Sequence, residues 1–96
     1  MIKILKFTSP TCAPCKVLSS NLDALFTDLV TKEKVTDLEV TSYDVTTCSP
    51  DLLTQHQISS VPTMIWEDTK SRTITRLTGL QTYSQMLKLY LTLTKE

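Results

Sequence analysis

The sequence predicts an α/β fold built on one mixed, four-stranded sheet, with elements in the order β-α-β-α-β-β-α. Three observations carry this. Short runs of period-two alternation take turns with stretches whose apolar residues keep helical spacing. The first two strand-like runs are separated by a helix, which requires a right-handed crossover and parallel pairing. Two late strand-like runs are joined by a short polar loop, which pairs them antiparallel. A chain of 96 residues with 41% hydrophobic content can supply one modest core, so residues 1–96 read as a single domain. No repeat, low-complexity tract or interdomain linker divides it.

The opening strand, Ile2 to Phe7, puts Ile2, Ile4 and Lys6 on one face and Lys3, Leu5 and Phe7 on the other. After the loop Thr8-Ser9-Pro10, Thr11 is placed to cap a helix whose first turn tolerates Pro14 and whose Leu18, Leu22, Leu25, Phe26 and Leu29 form a stripe ending near Lys32. Leu38 to Val45, rich in Val, Thr and Tyr, reads as the second strand. Ser49-Pro50-Asp51 is a cap, a first-turn proline and an acid matched to the helix dipole, opening a short helix to about Gln57. Thr63 to Glu67 and Arg72 to Leu77 flank Asp68-Thr69-Lys70-Ser71 as a hairpin. From Thr82 onward, Tyr83, Met86, Leu87, Tyr90 and Leu91 mark one face of a closing helix.

Ten basic and ten acidic residues balance and are scattered, so no long-range field gathers nucleic acid or anionic lipid. No run approaches the roughly 18 apolar residues of a membrane span, and Met1 to Phe7 is too short and interrupted for a signal peptide. A cytoplasmic, monomeric protein is expected. Three cysteines, an odd and small number, point to catalysis or metal binding and away from a secreted disulfide framework.

Cys12-Ala13-Pro14-Cys15 lies where the first strand hands over to the first helix. There the unpaired N–H groups and the positive end of the dipole stabilise a thiolate on Cys12. A two-residue spacer on one turn brings Cys15 within reach, so a mixed disulfide on Cys12 can be released by attack from Cys15. The competing reading is a zinc site completed by Cys48 and His56; Pro14 and Lys16 fit a helix start better than a zinc knuckle, and there is no second close pair of cysteines. Cys48 alone reads as a packing residue or a regulatory thiol, and His56 as a solvated or capping residue. Tyr43 and Trp66 read as sheet-face or core residues.

From Ile2 to about Leu91 the chain resembles the thioredoxin family, on three motifs in the right order: Cys12-Ala13-Pro14-Cys15-Lys16 after a strand, Val61-Pro62-Thr63, and Thr78-Gly79-Leu80 before the last helix. The resemblance implies a thioredoxin-like fold of the compact, glutaredoxin-sized kind and reduction of protein disulfides without a bound cofactor. It implies a cis Val61-Pro62 bond beside the dithiol. It also places Thr11, Ala13, Pro14, Val61, Thr78 and Gly79 around the substrate, with Val61 pairing with the substrate's extended chain as an added strand. Its partners are disulfide-containing proteins and either a thioredoxin reductase or glutathione.

Three positions depart from the family pattern: Thr11 where tryptophan is usual, Ala13 where glycine is usual, and Lys6 where a buried aspartate is common. Lys6 starts on the face of Ile2 and Ile4, so its stem can be buried with the ammonium near the loop carrying Cys12, where it favours the thiolate and raises the reduction potential. The alternative is a lysine that snorkels to solvent. Two other functions compete with the leading one: a glutaredoxin-like, glutathione-dependent reductase, and a non-catalytic binding subunit that keeps the fold.

Overall fold

The computed structural model describes residues 1–94. Its elements follow the expected order: β1 (Ile2–Thr8), α1 (Ala13–Thr31), β2 (Leu38–Asp44), α2 (Pro50–Gln55), β3 (Thr63–Asp68), β4 (Thr73–Thr78) and α3 (Tyr83–Thr94). The strands form one sheet in the order β2-β1-β3-β4. β1 and β2 are parallel, with Ile4 opposite Val40, as a strand-helix-strand unit requires. β3 runs antiparallel to both neighbours, with Ile4 opposite Trp66 and Thr63 opposite Thr78.

This register assigns the two faces. Ile2, Ile4 and Lys6 share a face with Met64, Trp66 and Asp68, and α1 and α3 cover it. Leu18, Leu22, Leu25 and Leu29 of α1 and Met86 and Tyr90 of α3 meet Ile2, Ile4, Met64 and Trp66 in one apolar cluster. The indole N–H of the fully buried Trp66 has no hydrogen-bond partner among the described residues. On the opposite face Phe7 is buried, stacked on Tyr43 at 5.2 Å and tilted against His56 at 5.7 Å. α2 covers that end of the sheet. Arg76 of β4 donates to the carbonyl oxygens of His56 and Gln57 and so ties the end of α2 to the sheet.

The elements differ from the expected ones at four places. Thr11 does not cap α1: the backbone is still extended at Cys12, so Cys12 is the cap residue and Ala13 the first helical one. Ser49 precedes α2 without a side-chain capping bond. β3 extends through Asp68 and the hairpin loop ends on Arg72, whose φ of 58° is left-handed and cannot continue a strand. On α3 Tyr83, Met86, Leu87 and Tyr90 face the core as expected, joined by Leu89 and Leu93, whereas Leu91 is 55% exposed. The Tyr83 hydroxyl donates to Asp28 of α1 at 2.6 Å and ties the start of α3 to that helix.

Candidate active site

Four chain segments meet at one end of the sheet because the register puts them there. Thr8 closes β1 opposite Asp44 of β2. Thr63, the first residue of β3, is opposite both Phe7 and Thr78. The loops after β1, β2 and β4 and the loop before β3 therefore surround the start of α1. The amide of Val45 donates to Thr8 at 2.9 Å, and that of Gly79 to Pro62 at 2.9 Å. Asp44 accepts from the hydroxyl and the amide of Thr46, which hold its carboxyl below the usual range and fix the turn after β2.

Cys12 and Cys15 are joined in a disulfide with their Cα atoms 5.2 Å apart. The two sulfurs are not equivalent. Cys12 is half-buried, whereas Cys15 is 2% exposed. The amide of Cys15 donates to Cys12 Sγ at 3.1 Å, a bond that strengthens when that sulfur becomes a thiolate. The first turn of α1 carries no acidic residue, so no carboxylate offsets the positive end of the helix dipole at this sulfur.

The other expected site residues fall into two groups. Val61 and Pro62, joined by a cis peptide bond, sit with Thr78 and Gly79 at the ends of β3 and β4, beside the start of α1. Thr11, Ala13 and Pro14 are exposed around the disulfide. Lys6 lies below this layer, neither on the rim nor in solvent: it is 8% exposed and its Nζ donates to Ser19 Oγ at 2.9 Å. The amine therefore reaches α1 one turn beyond Cys15. Ser19 did not stand out in the sequence; its signal is its place one turn after Cys15, as a small polar residue beside the apolar stripe. Asn21 was missed too. Its side chain donates to the carbonyl oxygen of Gln81 at 3.0 Å and pins the loop carrying Gly79 and Leu80 to α1.

Cys48 is a free, half-buried thiol before α2. Among the described residues no group of three or more His, Cys, Asp or Glu side chains is placed to hold a metal ion, and no helix is long and apolar enough to cross a membrane.

The family model for thioredoxin matches residues 1–91. The chain belongs to the thioredoxin family. Solved structures with the same fold include a chloroplastic thioredoxin z, with a TM-score of 0.78 and 20% identity over 100% of this chain and 80% of the other. A malarial protein matches with a TM-score of 0.79 and 19% identity over 98% of both chains. A thioredoxin from Halobacterium salinarum NRC-1 matches with a TM-score of 0.77 and 21% identity over 99% of this chain and 76% of the other. No curated protein sequence matches significantly. Thioredoxin-fold proteins with a close cysteine pair are generally thiol-disulfide oxidoreductases, and this thioredoxin carries such a pair at the start of α1.

Proposed function

We propose that this thioredoxin reduces disulfide bonds in other proteins, with Cys12 as nucleophile and Cys15 as resolving thiol. The observation that carries the reading is the asymmetry of the pair: an accessible sulfur that accepts the Cys15 amide at a helix N-terminus, and a buried sulfur one turn inside. The Cys12 thiolate attacks one sulfur of the substrate disulfide and forms a mixed disulfide, and the displaced substrate sulfur takes up a proton. Cys15 then attacks Cys12, the bond to the substrate breaks, and its second sulfur leaves with the electron pair and is protonated. The substrate gains two electrons and the cysteine pair loses them.

Docking is assigned to the rim. The backbone at Val61 offers its groups to an extended substrate segment as an added strand, and Thr11, Ala13, Pro14, Thr78 and Gly79 flank it. A separate dithiol reductase returns the two electrons; such chemistry suits a reducing compartment, and we place the protein in the cytoplasm, acting as a monomer. Recharging distinguishes this from glutathione-dependent reduction. The oxidised protein is mixed either with thioredoxin reductase and NADPH or with glutathione, and reduction of insulin disulfides is followed. Turnover with the reductase supports the proposal; turnover with glutathione alone assigns the protein to the glutaredoxin type of activity, and no turnover with either, together with unchanged partner binding when both cysteines are replaced, assigns it to binding.

A further inference from the structure

We infer that Lys6, tethered by Ser19, is a positioning residue for Cys15, and that its charge speeds the step in which Cys15 releases the substrate. The inference rests on the mechanism proposed above and adds to it a group that touches neither sulfur. Cys15 and Ser19 are one turn apart on α1, which puts their Cβ atoms about 5–6 Å from each other on the same face. Lys6 Nζ is 2.9 Å from Ser19 Oγ, so the amine is held on the Cys15 face of α1, one turn beyond that residue. Cys15 and Ser19 also line one open depression of about 460 Å³, with Thr8 and Ser9 on its other wall.

Among the described residues no carboxylate forms an ion pair with Lys6: the ion pairs join Met1 to Asp37 and Lys32 to Asp28. On the strands its neighbours along this face are Ile4, Met64 and Ser42; further along β2 the carboxylate of Asp44 accepts from the amide and hydroxyl of Thr46, and that of Asp68 lies at the far end of β3, where it accepts the Lys70 amide at 3.0 Å. From α3 the buried residues are Met86 and Tyr90. From α1 the charged side chains at the depression are the exposed Lys16 and Asp23. A buried cation lacking a counter-charge is costly, and in the mixed disulfide a thiolate on Cys15 supplies one.

That state is where the charge matters. While Cys12 is bonded to the substrate, Cys15 is a free thiol, and its burial at 2% exposure disfavours the thiolate. The ammonium held on the same face opposes that penalty. The Cys15 proton passes to water in the depression. The thiolate forms a bond to Cys12 Sγ, the bond between Cys12 and the substrate sulfur breaks, and that sulfur takes a proton from water. No other reactant enters.

The two chemical steps can be read separately with Ellman's reagent, on the full chain carrying Cys48→Ser so that the pair alone reacts. The first thionitrobenzoate released reports attack by Cys12, and the second reports resolution by Cys15. Lys6→Met keeps the length and burial of the side chain and removes the charge; far-ultraviolet circular dichroism checks that it folds. The second phase should slow about tenfold at pH 7 and its pH profile should move up, with the first phase changed by less than about twofold. Lys6→Arg should restore the second phase, and Ser19→Ala should slow it by a smaller factor. An unchanged second phase in Lys6→Met, or equal slowing of both phases, overturns the role of Lys6. Release of thionitrobenzoate by Cys12→Ser as fast as the first phase of the parent would instead overturn the mechanism beneath it.

Discussion

The amide of Gly79 donates to the carbonyl oxygen of Pro62 at 2.9 Å, joining the end of β4 to the residue before β3 on the rim of the disulfide. Gly79 does this with φ at 87°, a conformation that side chains with a Cβ adopt at a cost. A Cβ there would meet nothing within 4 Å, so the cost is purely one of backbone conformation. Gly79→Ala should lower stability by about 1–2 kcal/mol in a urea unfolding curve, with an unchanged slope. Gly79→Asn should lose less, since asparagine tolerates the left-handed region.

The platform beneath the site rests on α1. Leu22 is 1% exposed and sits in the cluster with Ile4, Trp66 and Met86. Leu22→Ala should cost about 2–5 kcal/mol, through lost burial and an unfilled cavity. Val17→Ala, on the exposed side of the same helix at 49% exposure, should change stability by less than about 0.5 kcal/mol. Thermal unfolding of both variants checks the contrast.

A pH dependence follows from the contact between α1 and α3. The Tyr83 hydroxyl donates to Asp28 at 2.6 Å, which lowers the Asp28 pKa from its ordinary 3.8 and raises that of Tyr83 from its ordinary 10.0; the nearby Lys32 also favours the Asp28 carboxylate. A depressed carboxyl pKa contributes stability that is present above the unfolded value and is lost as pH falls through the folded one. A raised phenol pKa contributes stability that is present below the unfolded value and is lost as pH rises through the folded one. The Tm difference between wild type and Tyr83→Phe should therefore be a few degrees on the plateau between these limits and shrink at both the acid and the alkaline end. A constant difference across the whole range would contradict the contact.

Much of this was legible in the residues. Alternation in Ile2 to Phe7 and the leucine stripe of α1 each specify one buried face, and a buried face leaves little freedom in register. Cys12-Ala13-Pro14-Cys15 carries its chemistry locally, because proline marks a helix start and the spacing spans one turn. The rim was legible only by resemblance: Pro62 and Gly79 meet through strand pairing, and no local signal joins them. Two features were legible only in part. The cap of α1 moved from Thr11 to Cys12 because a sulfur can take the capping bond there, which propensities for oxygen-bearing side chains do not anticipate. The buried stem of Lys6 was legible but its partner Ser19 was not, because the length of a lysine stem sets its reach while its end point depends on which polar atom the packed helix offers.

The division of labour between the two sulfurs is tested most directly by trapping. Reduced Cys15→Ser and Cys12→Ser variants, each also carrying Cys48→Ser, are mixed with a protein disulfide substrate, quenched with acid and resolved on a non-reducing gel. The account predicts that Cys15→Ser accumulates a covalent adduct that disappears on adding dithiothreitol, and that Cys12→Ser forms almost none, since its remaining thiol is 2% exposed in the folded chain. Equal trapping by the two variants, or an adduct formed through Cys15 alone, would contradict it.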